Sequence, residues 1–156
     1  DRIRETSGKY DFNRHKLIIE ITEDSLSYDT KVLKENIEKC KELGFLIALD
    51  DIGSGYSALS DLYNYPIDIV KVEKDIVCRA MEPNGKMLLD GLIRLAHSMN
   101  MKVLCEGVET AEQNDMIRST DCEYIQGFFY SRALPLKESE RFLQQHGFTG
   151  QAANNR

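Results

Sequence analysis

Short apolar runs alternate along this chain with longer segments in which apolar residues recur every three or four positions. The short runs predict five strands, because strands buried in a parallel sheet are nearly continuous apolar runs; they cover residues 16–21, 46–50, 69–72, 103–106 and 124–127. The amphipathic segments predict helices at residues 29–43, 58–63, 85–99, 111–119 and 136–146. The alternation indicates an α/β fold, with helices packed against a parallel sheet.

Glycine and proline residues between the predicted elements support this order. Gly44 is predicted to end the first of these helices, and Pro66 separates the helix at 58–63 from the third strand. We expect one domain over residues 1–146, followed by a flexible polar tail at 147–156. A closed eight-stranded barrel typically needs about 250 residues, so these 156 residues predict either an open sheet or part of a barrel, with about five β-then-α units.

Each predicted strand carries a polar residue at or near its carboxyl end. In chain order these residues are Glu20, Asp50 with Asp51, Lys71, Glu106 and Gln126. In parallel α/β folds the functional site forms where the strands end, so we expect these side chains to share one edge of the sheet.

Converging carboxylates with few histidines favour a hard divalent cation, Mg²⁺ or Mn²⁺. The adjacent Asp50 and Asp51 could help to hold two metal ions, the usual arrangement for phosphodiester hydrolysis. Lys71 could then hold water or stabilise developing charge, and Glu106 could act as a general base.

Each of these residues also has a purely structural explanation. In chain order these are a salt-bridged strand end for Glu20, turn chemistry for Asp50 and Asp51, a surface lysine with a packed stem for Lys71, helix capping for Glu106 and Glu109, and a core amide for Gln126. These explanations weaken together, because they require independent coincidences at one edge of the sheet.

Composition narrows the function classes. The chain is 42% hydrophobic and 29% charged, which is typical of a globular domain. It holds no apolar run of membrane-spanning length, and its net charge of −6 disfavours binding to long nucleic acid. The four cysteines form no C-x-x-C pair, so we expect reduced, mostly buried thiols in a cytoplasmic domain, with any membrane anchor elsewhere in a longer protein.

Five motifs in this order resemble the EAL domain family. They are EITE at 20–23, DDIGSGYSAL at 50–59, VKVE at 70–73, EGVET at 106–110 and QGFFYSRALP at 126–135. The family patterns are E-x-T-E, DDFGTGYSSL, a K-I-D strand, EGVET and QGYYFSRPLP. The resemblance implies part of a (β/α)₈ barrel of the TIM type, a bacterial signalling phosphodiesterase that hydrolyses cyclic di-GMP to linear pGpG.

The resemblance also implies roles for the polar residues at the strand ends. Glu20 and Asp50 would be metal ligands, and Asp51 would serve a second metal or its water. Lys71 would contact the catalytic water. Glu106 would be a metal-site carboxylate or the general base.

Supporting roles follow from the same motifs. Glu23 would anchor the loop at 50–59, and Glu109 would bind or orient in the metal region. Gln126 would lie near the water or the substrate, and Gly53 and Gly55 would let the loop bend. The family commonly dimerises through this loop region, so a homodimer is implied, as is an upstream sensor or diguanylate cyclase domain.

The printed sequence departs from the family at one point: it contains neither the Glu-Ala-Leu motif nor the strand with the metal-binding Asn. We therefore expect the opening strands to be missing and this chain alone to have little activity. The alternative functions are a catalytically inactive cyclic di-GMP receptor and a protein-interaction or dimerisation module.

Overall fold

The computed structural model describes residues 2–26, 30–52 and 63–146. Its centre is a five-stranded sheet in which spatial order follows chain order and all four pairings are parallel. The strands are β1 (Ile18–Thr22), β2 (Leu46–Ile52), β3 (Ile69–Val72), β4 (Lys102–Cys105) and β5 (Tyr124–Ile125). The predicted α/β class and parallel sheet are confirmed.

Helices connect and flank the strands. In chain order they are α1 (Arg2–Ser7), a 3₁₀ turn (Arg14–Lys16), α2 (Glu23–Leu26), α3 (Thr30–Glu42), α4 (Lys74–Arg79), α5 (Pro83–Ser98), α6 (Ala111–Arg118) and α7 (Leu136–Gln145). No helix within these ranges has both the length and the hydrophobicity that a membrane crossing requires.

Local sequence explains where the longer helices begin and end. Gly44 follows α3 with φ +91°, a conformation that glycine adopts without steric cost. Pro83 starts α5, where its missing N–H removes no hydrogen bond. Thr110 caps α6 by accepting from the Gln113 N–H, while the Gln113 side chain accepts from the Thr110 N–H.

The core lies on one side of the sheet. Val72, Val103 and Cys105 are buried in one cluster with Leu89 of α5 and Ile117 of α6. Because side chains alternate along a strand, the strand neighbours of Val72, Val103 and Cys105 point to the other side of the sheet. That alternation separates Lys71 from the hydrophobic core and directs it to the opposite face of the sheet.

The predicted boundaries hold within about two residues, and β3 matches in full. The prediction that the first strand begins at Lys16 was wrong, because Lys16 lies in the 3₁₀ turn. The Asn13 side chain stabilises that turn by accepting from the His15 N–H. The short helices α1, α2 and α4 were not predicted. Most of the predicted helix at 58–63, and the tail at 147–156, lie outside the described residues.

Candidate active site at the carboxyl edge of the sheet

A buried lysine lies at the centre of the carboxyl edge. Lys71 is only 4% exposed. Its Nζ lies 2.7 Å from Asp50 Oδ1, 2.7 Å from Glu106 Oε1 and 2.9 Å from Glu20 Oε2. We call these four residues the Lys71 cluster. Strand order alone did not ensure such close contact.

The sheet register brings the cluster together. In β1 and β2, Thr22 pairs with Asp50, two positions beyond Glu20. Glu106 directly follows β4, and its N–H donates to the Val72 carbonyl at 3.0 Å, one residue beyond Lys71. The strands β1, β2 and β3 and the residue that directly follows β4 thus each contribute one member of the cluster.

Two opposing effects act on the charge of Lys71. Burial alone would lower its pKa, because a desolvated ammonium is costly. Hydrogen bonds to Asp50, Glu106 and Glu20 outweigh burial and raise the pKa above its usual value. Lys71 is therefore a fixed positive charge at neutral pH, and the explanation as a surface lysine is wrong.

A second ion pair lies beside the cluster. Lys74 Nζ contacts Glu109 Oε1 at 2.7 Å, with both side chains about half exposed. This contact raises the pKa of Lys74. Glu109 does not cap α6, as the helix-capping explanation held, because Thr110 takes that position.

Other predicted site residues lie apart from the cluster or outside the description. Gln126 is exposed, so its explanation as a core amide is wrong; its N–H donates to the Cys105 carbonyl at 2.9 Å. Asp51 lies in β2 and Glu23 begins α2, but the structure does not describe their side chains. Gly53 and Gly55 are outside the described residues.

Two glycines shape this edge and were not selected from the sequence. Gly107 has φ +68°, and a Cβ there would overlap the Lys74 side chain. A Cβ at Gly127 would overlap the backbone of Val108. The signal was present in the sequence, since each glycine directly follows a residue that had been selected, Glu106 or Gln126.

The donor chemistry of the cluster fits a hard divalent cation, because carboxylate oxygens are the preferred ligands of Mg²⁺ and Mn²⁺. In the present arrangement the Lys71 ammonium lies among those carboxylates. Over residues 2–26, 30–52 and 63–146, no group of three or more His, Cys, Asp or Glu is spaced to hold a metal ion. Glu20 and Asp50 would hold a cation only after turning from Lys71.

A parallel α/β sheet with carboxylates and a buried lysine at its carboxyl edge defines a class of barrel-like domains with a polar site at the strand ends. Within that class, the chain belongs to the EAL domain family, whose model, described as "EAL domain", matches residues 1–133. The resemblance drawn from the five motifs is confirmed.

Two relatives are named as known or probable cyclic di-GMP phosphodiesterases. The chain is 36% identical over 133 residues to the cyclic di-GMP phosphodiesterase NbdA of Pseudomonas aeruginosa, covering 85% of this chain and 17% of NbdA. It is 35% identical over 144 residues to an Escherichia coli protein named probable cyclic di-GMP phosphodiesterase PdeB, covering 92% of this chain and 27% of PdeB. The chain therefore spans only a small part of these relatives.

Solved structures agree with the fold. The EAL domain of Mycobacterium smegmatis DcpA superposes with a TM-score of 0.82 at 27% identity, covering 92% of this chain and 64% of that one. A manganese and cyclic di-GMP complex of Klebsiella pneumoniae BlrP1 gives 0.76 at 25% identity, covering 84% and 34%. The five strands therefore correspond to part of a TIM-like barrel.

Proposed function

We propose that this chain supplies the carboxylate and lysine half of a cyclic di-GMP phosphodiesterase site, which hydrolyses the cyclic dinucleotide to linear pGpG when the domain is complete. The observation that carries the proposal is the Lys71 cluster, which lies at the edge where barrel enzymes hold substrate. Family membership and the relatives named as phosphodiesterases support it.

Lys71 would oppose the negative charge that develops on the phosphate. Its ammonium has three donors, and three carboxylates are within reach of them. A donor becomes free for water or phosphate only when a carboxylate turns to another partner. Glu106, fixed by its backbone bond to Val72, would accept the proton of the attacking water.

Glu20, Asp50 and Asp51 would hold Mg²⁺ or Mn²⁺. A bound divalent cation would offset charge on the phosphate and acidify the attacking water. Gln126 is exposed near the same edge and would face the substrate. Glu109, paired with Lys74, would fix the segment between β4 and α6, and thereby orient Glu106.

The test is the conversion of cyclic di-GMP by the complete protein with Mn²⁺ or Mg²⁺, followed by chromatography of the nucleotides. We expect linear pGpG from the wild type and a loss of at least about 100-fold in kcat for Glu106→Gln, the scale on which general bases contribute. Glu140→Gln is the matched control, because Glu140 is an exposed residue of α7. Equal rates for both variants would refute the role of Glu106.

A second candidate is a receptor that binds cyclic di-GMP without hydrolysing it. The observation that favours it is the ion pairing of all three carboxylates with Lys71, which occupies the oxygen atoms that a metal ion would need. Calorimetry separates the two: a receptor binds the cyclic dinucleotide, with or without Mn²⁺, and releases no linear product.

In the described sheet, β1 and β5 each have one neighbouring strand, so both edges leave backbone groups unpaired. We propose a homodimer through the loop region at 50–59, as the family resemblance implies, and light scattering would test it. Sensor or cyclase domains in the complete protein are the proposed regulatory partners.

A further inference from the structure

Two cysteine thiols lie close together at the carboxyl end of β4, next to the Lys71 cluster. The sulfur atoms of Cys105, at the end of β4, and Cys122, in the loop before β5, lie 3.4 Å apart. Cys105 is completely buried, whereas Cys122 is half-buried and reachable from solvent. Neither residue belongs to the Lys71 cluster, and both cysteines are reduced.

The loop holds Cys122 in place. Its N–H donates to Thr120 Oγ1 at 3.2 Å, and Thr120 Oγ1 in turn donates to the Ile117 carbonyl at 2.6 Å. Its sulfur lies 3.1 Å from the Tyr124 carbonyl and 3.4 Å from the Val103 carbonyl. Cys122 is therefore kept facing Cys105 rather than turning freely at the surface.

We propose that Cys105 and Cys122 form a reversible dithiol–disulfide site, oxidised by a peroxide and restored by a dithiol reductant. The Cys122 thiolate attacks one peroxide oxygen, which breaks the O–O bond and leaves a sulfenic acid on Cys122 and hydroxide. The Cys105 sulfur then displaces the sulfenic oxygen and forms the S–S bond. The displaced oxygen leaves as water, so two thiols and one H₂O₂ give a disulfide and two waters.

The surroundings assign the two roles. Cys122 is the half-buried member of the pair, and its contact with the Cys105 sulfur at 3.4 Å lowers its pKa, which favours the thiolate that attacks. Cys105 is closed to solvent, so peroxide reaches the pair through Cys122. The sulfurs, now 3.4 Å apart, must approach by about 1.4 Å to reach a bond of about 2.05 Å.

The other two cysteines serve as controls. Cys78 is exposed on α4, with the Gln113 amide nitrogen 3.6 Å from its sulfur. Cys40 is half-buried on α3, and burial raises its pKa, which disfavours its thiolate. Among the described residues, Cys105 and Cys122 are a pair of thiols within hydrogen-bond reach of each other.

The test treats the folded 156-residue chain with H₂O₂, blocks remaining thiols by alkylation, and maps the peptides by mass spectrometry. We expect free thiols to fall from the four of the sequence to two, an intact mass lower by about 2 Da, and one linked peptide joining Cys105 to Cys122. Dithiothreitol should restore four thiols. Cys78→Ser and Cys40→Ser should keep the linked peptide, and Cys122→Ser should lose it.

The proposal is overturned if peroxide adds oxygen to single cysteines without a linked peptide, or if the link forms only after unfolding in urea. The map of the wild-type chain decides this even if a variant does not fold. The experiment detects a covalent link between two peptides and does not measure phosphodiesterase activity. The disulfide proposal would therefore stand even if the proposed phosphodiesterase activity were absent.

Discussion

Replacing Lys71 by Met would show how strongly the cluster depends on its single positive charge. Methionine fills a similar volume with an apolar chain, so packing changes little while the ammonium is removed. Glu20, Asp50 and Glu106 then face one another without the ammonium, and their side chains are 48%, 22% and 22% exposed. Breaking a fully buried ion pair costs about 3–5 kcal/mol.

Partial solvation of the carboxylates reduces that cost, because water screens their repulsion. We expect the free energy of unfolding to fall by about 2–3 kcal/mol, between the values for buried and surface pairs. That is a large part of the roughly 5–15 kcal/mol that stabilises a domain. Adding Mn²⁺ should raise the stability of the variant more than that of the wild type, since a cation restores positive charge among the carboxylates.

Urea denaturation at pH 7, with and without Mn²⁺, measures both effects. Lys74→Met is the matched control, because Lys74 also contacts a carboxylate at 2.7 Å but is 51% exposed, so its loss should change stability little. A Lys71→Met chain as stable as the wild type, or one that Mn²⁺ stabilises no more than the wild type, would refute the electrostatic account of the cluster.

Other residues give independent predictions. Gly127→Ala should destabilise the chain by more than about 2 kcal/mol, because its Cβ would overlap neighbouring backbone. Gly91→Ala should instead stabilise α5 by about 0.5–1 kcal/mol, since the added Cβ would meet no atom of the described residues within 4 Å, apart from its chain neighbours and the backbone of α5 itself; thermal unfolding compares the two. Burial opposes the ionisation of Glu123. The Val103 N–H, which donates to the Glu123 carboxylate at 2.8 Å, and His97 outweigh burial and lower the pKa of Glu123. Glu123→Gln should therefore be less stable than the wild type at pH 7, and urea titrations should show the difference shrinking as pH falls from about 4.3 through the lower native pKa.

The strand-end residues could be predicted because parallel strands impose one direction on all carboxyl ends. Apolar runs located Glu20, Asp50 and Glu106 at one edge without any knowledge of distances. The burial of Lys71 could not be predicted, because it depends on three carboxylates from three other strands meeting one ammonium.

The start of α6 shows a different limit of prediction from the sequence. Glu109 and Thr110 are adjacent, and both types of residue occur at helix starts. The reciprocal contact between Thr110 and Gln113 decided between them, and the spacing of that pair was visible in the sequence. The short helices α1, α2 and α4 escaped prediction because four to six residues are too few to show a helical period.

The most direct test of the central claim compares initial rates of linear pGpG formation by the complete protein and its Asp50→Asn variant, with Mn²⁺ and saturating cyclic di-GMP. Asparagine keeps the shape of Asp50 but removes its charge, both toward Lys71 and toward a cation. We predict turnover by the wild type and a loss of at least about 100-fold in the variant, as expected when one electrostatic contribution at a reacting centre is removed. Binding of cyclic di-GMP with no linear product from the wild type, or equal rates for the two proteins, would contradict the account.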